Sequence, residues 1–274
     1  MKAIIVRQPG GVEAMRLETI PDPVAGRRDV LIKVEACGVC FHDVLTRNGT
    51  LKAGVQMPCV LGHEISGTVV EVGRDVARFK SGQRVATAQR HHICGACRFC
   101  RSGRETVCAE RRFLGDYGMV GGYGEYVAVE DDNVAAVPDG VALADASIAS
   151  CAIGTCLNGV RDVGRLQMGE SALVTGAGGG LGLHAVQLAR LAGARVIAQT
   201  TSPDKADLIR RMGAHHVVVH ARGEDFSPEV KRLTDGRGVD VLIDNVGTPL
   251  FEPMRRCLGI SGRWVLIGQL SGEF

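Results

Sequence analysis

The chain has 274 residues, of which 45% are hydrophobic and 23% charged, and its formal net charge is +2. That composition is globular and ample for a sizeable core, in one large domain or two ordinary ones. The near balance of charge gives no bulk attraction to nucleic acid or to an anionic membrane surface.

The N-terminal "MKAIIVRQPGGVEAMRLETIPDP" reads as strand, turn, strand, with neither the apolar core nor the cleavage site of a signal peptide. No apolar run is long enough to span a bilayer. The expectation is a cytoplasmic protein. Short alternating strands follow, such as "VLIKVEA" and "GTVVEVG", bounded by glycine-rich turns.

Between and after these strands lie three pieces rich in metal-ligand residues: "CGVCFHD" (37–43), "GHEISGTVVEVG" (62–73) and "ASCAIGTC" (149–156). Cys40, His63 and Cys151 together would make a two-cysteine, one-histidine site with a fourth position free, the arrangement of a catalytic zinc. Asp43 could hold the far nitrogen of His63, and Glu64 could sit behind the metal. Singly each signal is weak, because a lone Cys is usually a small buried hydrophobe.

The next stretch is denser. Cys94, Cys97, Cys100 and Cys108 follow C-x2-C-x2-C-x7-C. Four thiolates close a tetrahedral site that suits structural zinc. Gly95, Ser102 and Gly103 permit the tight turns, and Arg98, Arg101 and Arg104 can offset the charge. An iron–sulfur cluster uses the same ligand type, and idle thiols are the other alternative; structural zinc is expected ahead of both. A closed site leaves no position for substrate, so this lobe is expected to hold a loop and do no chemistry.

From about residue 170 the pattern changes. Ser171–Thr175 reads as a buried strand, Leu181–Leu191 has apolar residues at helical spacing, and "ARVIAQT" (194–200) is a second strand. The intervening turn exposes backbone N–H groups at a helix N-terminus, a seat for a pyrophosphate. It departs from G-x-G-x-x-G: in register it is Ala177-x-Gly179-Gly180-x-Gly182, with Gly176 and Gly178 adding freedom and Leu181 inside it. Where an NAD enzyme usually has Asp or Glu at the end of the second strand, this chain has Thr200. Thr201, Ser202 and Lys205 could hold a phosphate there, so NADP(H) is expected over NAD(H), with NAD(H) possible. Further on, "GVDVLIDNVGT" and "GRWVLIGQL" supply two more strands, and Asn245, Val246 and Gly247 fall where ligands bind open α/β sheets. Thr155 joins them as a cofactor-lining candidate.

Taken together, these segments resemble the zinc-type alcohol dehydrogenases of the medium-chain dehydrogenase/reductase superfamily. "GHEISGTVVEVGRDV" matches the family's zinc signature G-H-E-x2-G-x5-G-x2-V at every fixed position. The resemblance implies an α/β plus β fold: a GroES-like catalytic domain (residues 1–152) and a Rossmann domain (153–274), with nicotinamide and zinc in the cleft between them. It implies two Zn2+ per chain, Cys40, His63 and Cys151 at the catalytic one, with Cys156 a nearby non-ligand and Cys37, Cys59 and Cys257 ordinary thiols. A homodimer or homotetramer is implied, and family members continue some tens of residues past "SGEF", so a truncated C-terminus is expected.

The expected function is hydride transfer between NADP(H) and an alcohol or carbonyl at zinc. His42 stands where the family usually has the Ser or Thr of its proton relay, and Leu45 where many members have a distal histidine. His42, Asp43 and Glu64 are therefore the catalytic candidates. "VTGAGGGLGLHAVQLAR" also resembles the acryloyl-CoA reductase and quinone oxidoreductase branches, which makes an activated alkene the alternative substrate. A zinc- and cofactor-binding protein without turnover is the third reading.

Overall fold

The computed structural model describes residues 1–268; the last residues of the predicted "GRWVLIGQL" strand and the closing "SGEF" lie outside it. The chain divides into two compact units, Met1–Cys151 and Ala152–Phe274. No helix among the described residues is long and apolar enough to cross a membrane.

The first unit is mostly β. Its strands are β1 (Lys2–Val6), β2 (Met15–Thr19), β3 (Asp29–Gly38), β4 (Cys59–Val60), β5 (Glu64–Val72), β6 (Arg84–Thr87), β7 (Arg90–His92), β8 (Arg112–Phe113), β9 (Tyr126–Glu130) and β10 (Val134–Ala136). A five-stranded antiparallel sheet runs β10-β6-β5-β3-β9, beside a β2-β1-β4 sheet and a β7-β8 ribbon. Strand β3 shows why the sequence alternates: Val30 and Ile32 are fully buried while Lys33 is exposed. They pack with Ile65, Val69, Val85, Val127 and Val129 into one core.

The register of β3 on β5 positions the site. Gly38 lies opposite Glu64 and Cys37 opposite Ile65, so the chain leaving β3 brings Cys40 up to His63. Gly67, a fixed glycine of the zinc signature, sits where a Cβ would fall 2.0 Å from the Lys33 carbonyl oxygen; only glycine lets the strands lie this close. A short helix α1 (Phe41–Asn48) starts at Cys40, and the helical turn Ala149–Ile153 carries Cys151.

The second unit is a parallel sheet of β11 (Ser171–Val174), β12 (Arg195–Thr200), β13 (His216–Val219), β14 (Val239–Asp244) and β15 (Leu258–Leu266), ordered β13-β12-β11-β14-β15. These strands are near-continuous apolar runs because both faces are covered. After a short helix α2 (Gly154–Leu157), helices α3 (Gly180–Leu191) and α4 (Ala206–Arg211) supply Ala185, Val186, Ala189 and Ile209 to one face. Helices α5 (Ser227–Leu233) and α6 (Phe251–Cys257) supply Val230, Leu233, Met254 and Cys257 to the other. This is the Rossmann order, and it reverses between β11 and β14, where the turn after β11 opens at the carboxyl edge.

Candidate metal centres and cofactor seat

The four-cysteine lobe gathers its sulfurs. Cys94 and Cys108 are 3.6 Å apart, Cys97 and Cys100 3.6 Å, and Cys94 and Cys100 3.9 Å. One ligand atom from each lies within 4.8 Å of all the others. Left-handed glycines at 95 (φ 66°) and 103 (φ 70°) turn the chain, and Arg98 lies 4.5 Å over the Phe99 ring. Crowding drives the thiols apart in acidity. The Cys94 backbone N–H pulls Cys108 down to about 6, while burial and the neighbouring sulfurs push Cys100 up to about 12. A divalent cation among them would let all four ionise, so the donor set fits zinc.

The second set is assembled from three distant segments. Cys40, His63, Glu64 and Cys151 each offer a ligand atom within 4.8 Å of the others, and the two sulfurs are 3.9 Å apart. The sequence places Glu64 behind the metal. In the structure its carboxylate comes within 4.8 Å of the other three ligand atoms, at the start of β5 opposite Gly38. Asp43 is 3.3 Å from His63 Nδ1, which leaves Nε2 as the ring's ligand atom. Asp43 also accepts the Gly62 N–H (3.2 Å), the Cys40 N–H (2.9 Å) and the Tyr123 hydroxyl (3.0 Å).

The electrostatics of this set call for positive charge. Burial opposes a charged imidazole, yet Asp43 and Cys40 outweigh it and push His63 up to about 10. The Cys151 thiol, with His63 and the His42 backbone, draws Cys40 down to about 4, and Cys151 is driven up in return. Burial raises Glu64 as well, whereas the donors around Asp43 hold it below the usual range against the cost of burial. These residues fit a bound zinc by donor type and charge.

His42 lies beside this set, its ring centroid 5.1 Å from that of His63. Its Nε2 is 2.8 Å from one oxygen of Asp116 and 3.0 Å from the other, and the Thr46 hydroxyl donates to the same carboxylate at 2.9 Å. Asp116 and Tyr123 escape the sequence reading. Both lie in "GDYGMVGGYGEY", and nothing local pairs that glycine-rich stretch with residues 42 and 43.

In the second unit a pocket of about 530 Å³ opens beside the glycine turn. It brings together Gly176, Gly178, Gly179, Thr200, Thr201, Ser202, Lys205 and Val246 from the predicted set, and adds Gln199, Arg222, Gly223, Pro249 and Leu250. Ala177 and Gly182 are buried where the turn packs on α3, while Gly180 is exposed and Leu181 half-buried. Asn245 donates to the Thr175 carbonyl (2.9 Å), and the Gly247 N–H is held by Asp244 (2.9 Å). Thr155, half-buried on α2, is not among the pocket's lining residues. Cys156 donates its thiol to the Leu181 carbonyl at 3.2 Å.

Comparison with known proteins agrees with both units. Residues 26–139 match the alcohol dehydrogenase GroES-like domain, and residues 180–274 match the zinc-binding dehydrogenase family. The chain is 36% identical to acryloyl-coenzyme A reductase of Sulfurisphaera tokodaii over 98% of its own length and 77% of that protein's. It is 34% identical to NAD-dependent alcohol dehydrogenase of Sulfolobus acidocaldarius over 99% and 78%. The solved structure of AibC superposes with a TM-score of 0.92 at 42% identity, covering 100% of this chain and 76% of that one. The fold and the matches define a zinc-type oxidoreductase. The chain belongs to the zinc-containing alcohol dehydrogenase family of the medium-chain dehydrogenase/reductase superfamily.

Proposed function

We propose that this protein reduces a carbonyl, or oxidises the corresponding alcohol, with NADP(H) and a zinc ion held by Cys40, His63 and Cys151. The observation that carries this reading is the second ligand set: two thiols, an imidazole and a carboxylate converge, with Asp43 fixing the imidazole. Bound zinc supplies Lewis acidity to the substrate oxygen, and the nicotinamide supplies or takes the hydride. The chain's own residues do the rest. Asp43 orients His63, and Tyr123 and two backbone N–H groups keep Asp43 ionised and fixed. Asp116 accepts the His42 Nε2 proton, which leaves His42 Nδ1 with the free lone pair; that atom passes the proton to or from the substrate oxygen. Glu64 is near enough to compete for the metal's fourth position. Cys94, Cys97, Cys100 and Cys108 hold a second, structural zinc.

An activated alkene is the second reading, favoured by the likeness to the acryloyl-coenzyme A reductase. The test is NADPH oxidation with an aliphatic aldehyde and an enoyl-CoA in parallel, before and after chelation. Aldehyde turnover lost on chelation and restored by zinc supports the proposal. Turnover of the enoyl-CoA alone, surviving chelation, overturns it in favour of the second reading.

A further inference from the structure

The pocket beside the glycine turn has charge of one sign. Lys205 and Arg222 line it, and no carboxylate does. The two cations are not equivalent. Lys205 folds back over the turn, its Nζ donating to the Gly178 carbonyl at 3.1 Å and its Cδ lying 2.8 Å from where a Gly178 Cβ would be. Its ammonium thus sits over the glycine turn. Arg222 makes no hydrogen bond or ion pair among the described residues. In the same unit Arg210, Arg232, Arg255, Arg256 and Arg263 are each paired with a carboxylate.

The loop carrying Arg222 is tied to the glycine turn. The Gly176 N–H donates to Gln199 Oε1 (3.0 Å), and Gln199 Nε2 is 2.6 Å from His220 Nε2. His220 Nδ1 is 2.7 Å from the Ala221 carbonyl oxygen, which can only accept, so Nδ1 carries the ring proton and Nε2 accepts from Gln199. Gln199 and His220 are both buried, and Glu224 Oε2 takes the Ala221 N–H at 2.9 Å. The backbone leading into Arg222 is therefore tied down, and Arg222 lines the same pocket as Thr201 and Ser202.

We infer that Arg222, rather than Lys205, is the residue that selects NADP(H) over NAD(H), by pairing its guanidinium with the 2′-phosphate of the adenosine ribose. A planar fork of N–H donors suits a phosphate's oxygens, and a free one needs no existing ion pair broken. The inference rests on the proposed NADP(H) preference and names the side chain responsible. It is tested by calorimetric titration of 2′,5′-ADP and 5′-ADP into the wild-type chain and into Arg222→Gln, Arg222→Lys and Lys205→Met. The wild type is expected to bind 2′,5′-ADP about tenfold or more tightly than 5′-ADP. Arg222→Gln loses that preference with 5′-ADP affinity unchanged, Arg222→Lys keeps part of it, and Lys205→Met weakens both ligands together. A wild type without preference overturns the NADP(H) reading itself. A wild-type preference that survives Arg222→Gln, or an equal loss for both ligands in that variant, overturns the role of Arg222 alone.

Discussion

Gly182 and Gly180 lie two residues apart at the start of α3, and the same substitution should act on them in opposite directions. A Cβ on Gly182 would fall 2.3 Å from the Gly176 carbonyl oxygen and 2.6 Å from the Ala177 Cα. Both are backbone atoms, about 1 Å short of ordinary contact, so no side chain can swing aside. The helix must lift off the turn. Overpacking of this kind costs about 1–3 kcal/mol, and rigid neighbours put Gly182→Ala toward the upper end. Alanine's helix propensity returns at most about 1 kcal/mol. The expected net loss is about 1–2 kcal/mol. A Cβ on Gly180 meets nothing within 4 Å, so Gly180→Ala should be neutral or stabilising by up to about 1 kcal/mol. Trp264, the chain's one tryptophan, lies on β15 of the same unit and reports unfolding in urea by its fluorescence. If Gly182→Ala proves as stable as Gly180→Ala, the close approach of α3 to the glycine turn does not constrain the helix.

Three other substitutions probe separate parts of the molecule. Cys97→Ser should lower the zinc content by one per chain in metal analysis, leaving the ion at the other set in place. Asp116→Asn should reduce kcat about tenfold or more with zinc content unchanged, because it removes the carboxylate that both His42 and Thr46 address; an unaltered kcat would release His42 from its role. Glu170 is held below the usual carboxylate range chiefly by its hydrogen bond to Arg263. Its folded-state pKa is depressed, so the stabilisation is present above the unfolded value near about 4.3 and lost as pH falls through the folded one. The pair is partly exposed and worth about 1 kcal/mol or less. The stability gap between wild type and Glu170→Gln should therefore close below about pH 4 in urea titrations; a gap constant with pH would contradict this.

Much of this was legible in the chain because the informative residues are chemically rare and closely spaced. Four cysteines in a short run have few alternatives to a metal, and "GHEISGTVVEVG" places Gly67 and Gly73 where a Cβ would meet the backbone of Lys33 and of Gly26 and Arg27. The parallel sheet was equally readable, since strands buried on both faces are apolar without alternation. What escaped was pairing over distance. Asp116 reaches His42 across 74 positions and Tyr123 reaches Asp43 across 80, and an aspartate or a tyrosine in a glycine-rich loop carries no signal of its partner. Arg222 was missed for the same reason: only the fold brings the loop after β13 against the end of β12. Lys205 was noticed for its charge, but sequence could not show that its stem lies flat over Gly178, where a side chain would have blocked it. Glu64 is readable from the sequence as a carboxylate near the metal, but only the strand register shows that its oxygen comes within 4.8 Å of the Cys40, His63 and Cys151 ligand atoms.

On the proposed function, Cys40, His63 and Cys151 bind the zinc at which substrate reacts. The most direct test is zinc content and aldehyde-dependent NADPH oxidation, measured together in the wild type and in Cys151→Ser. Two zinc ions per wild-type chain and one in the variant are expected, with aldehyde reduction lost along with the second ion. A variant that keeps both ions, or that loses one and still reduces the aldehyde, would contradict the proposed function.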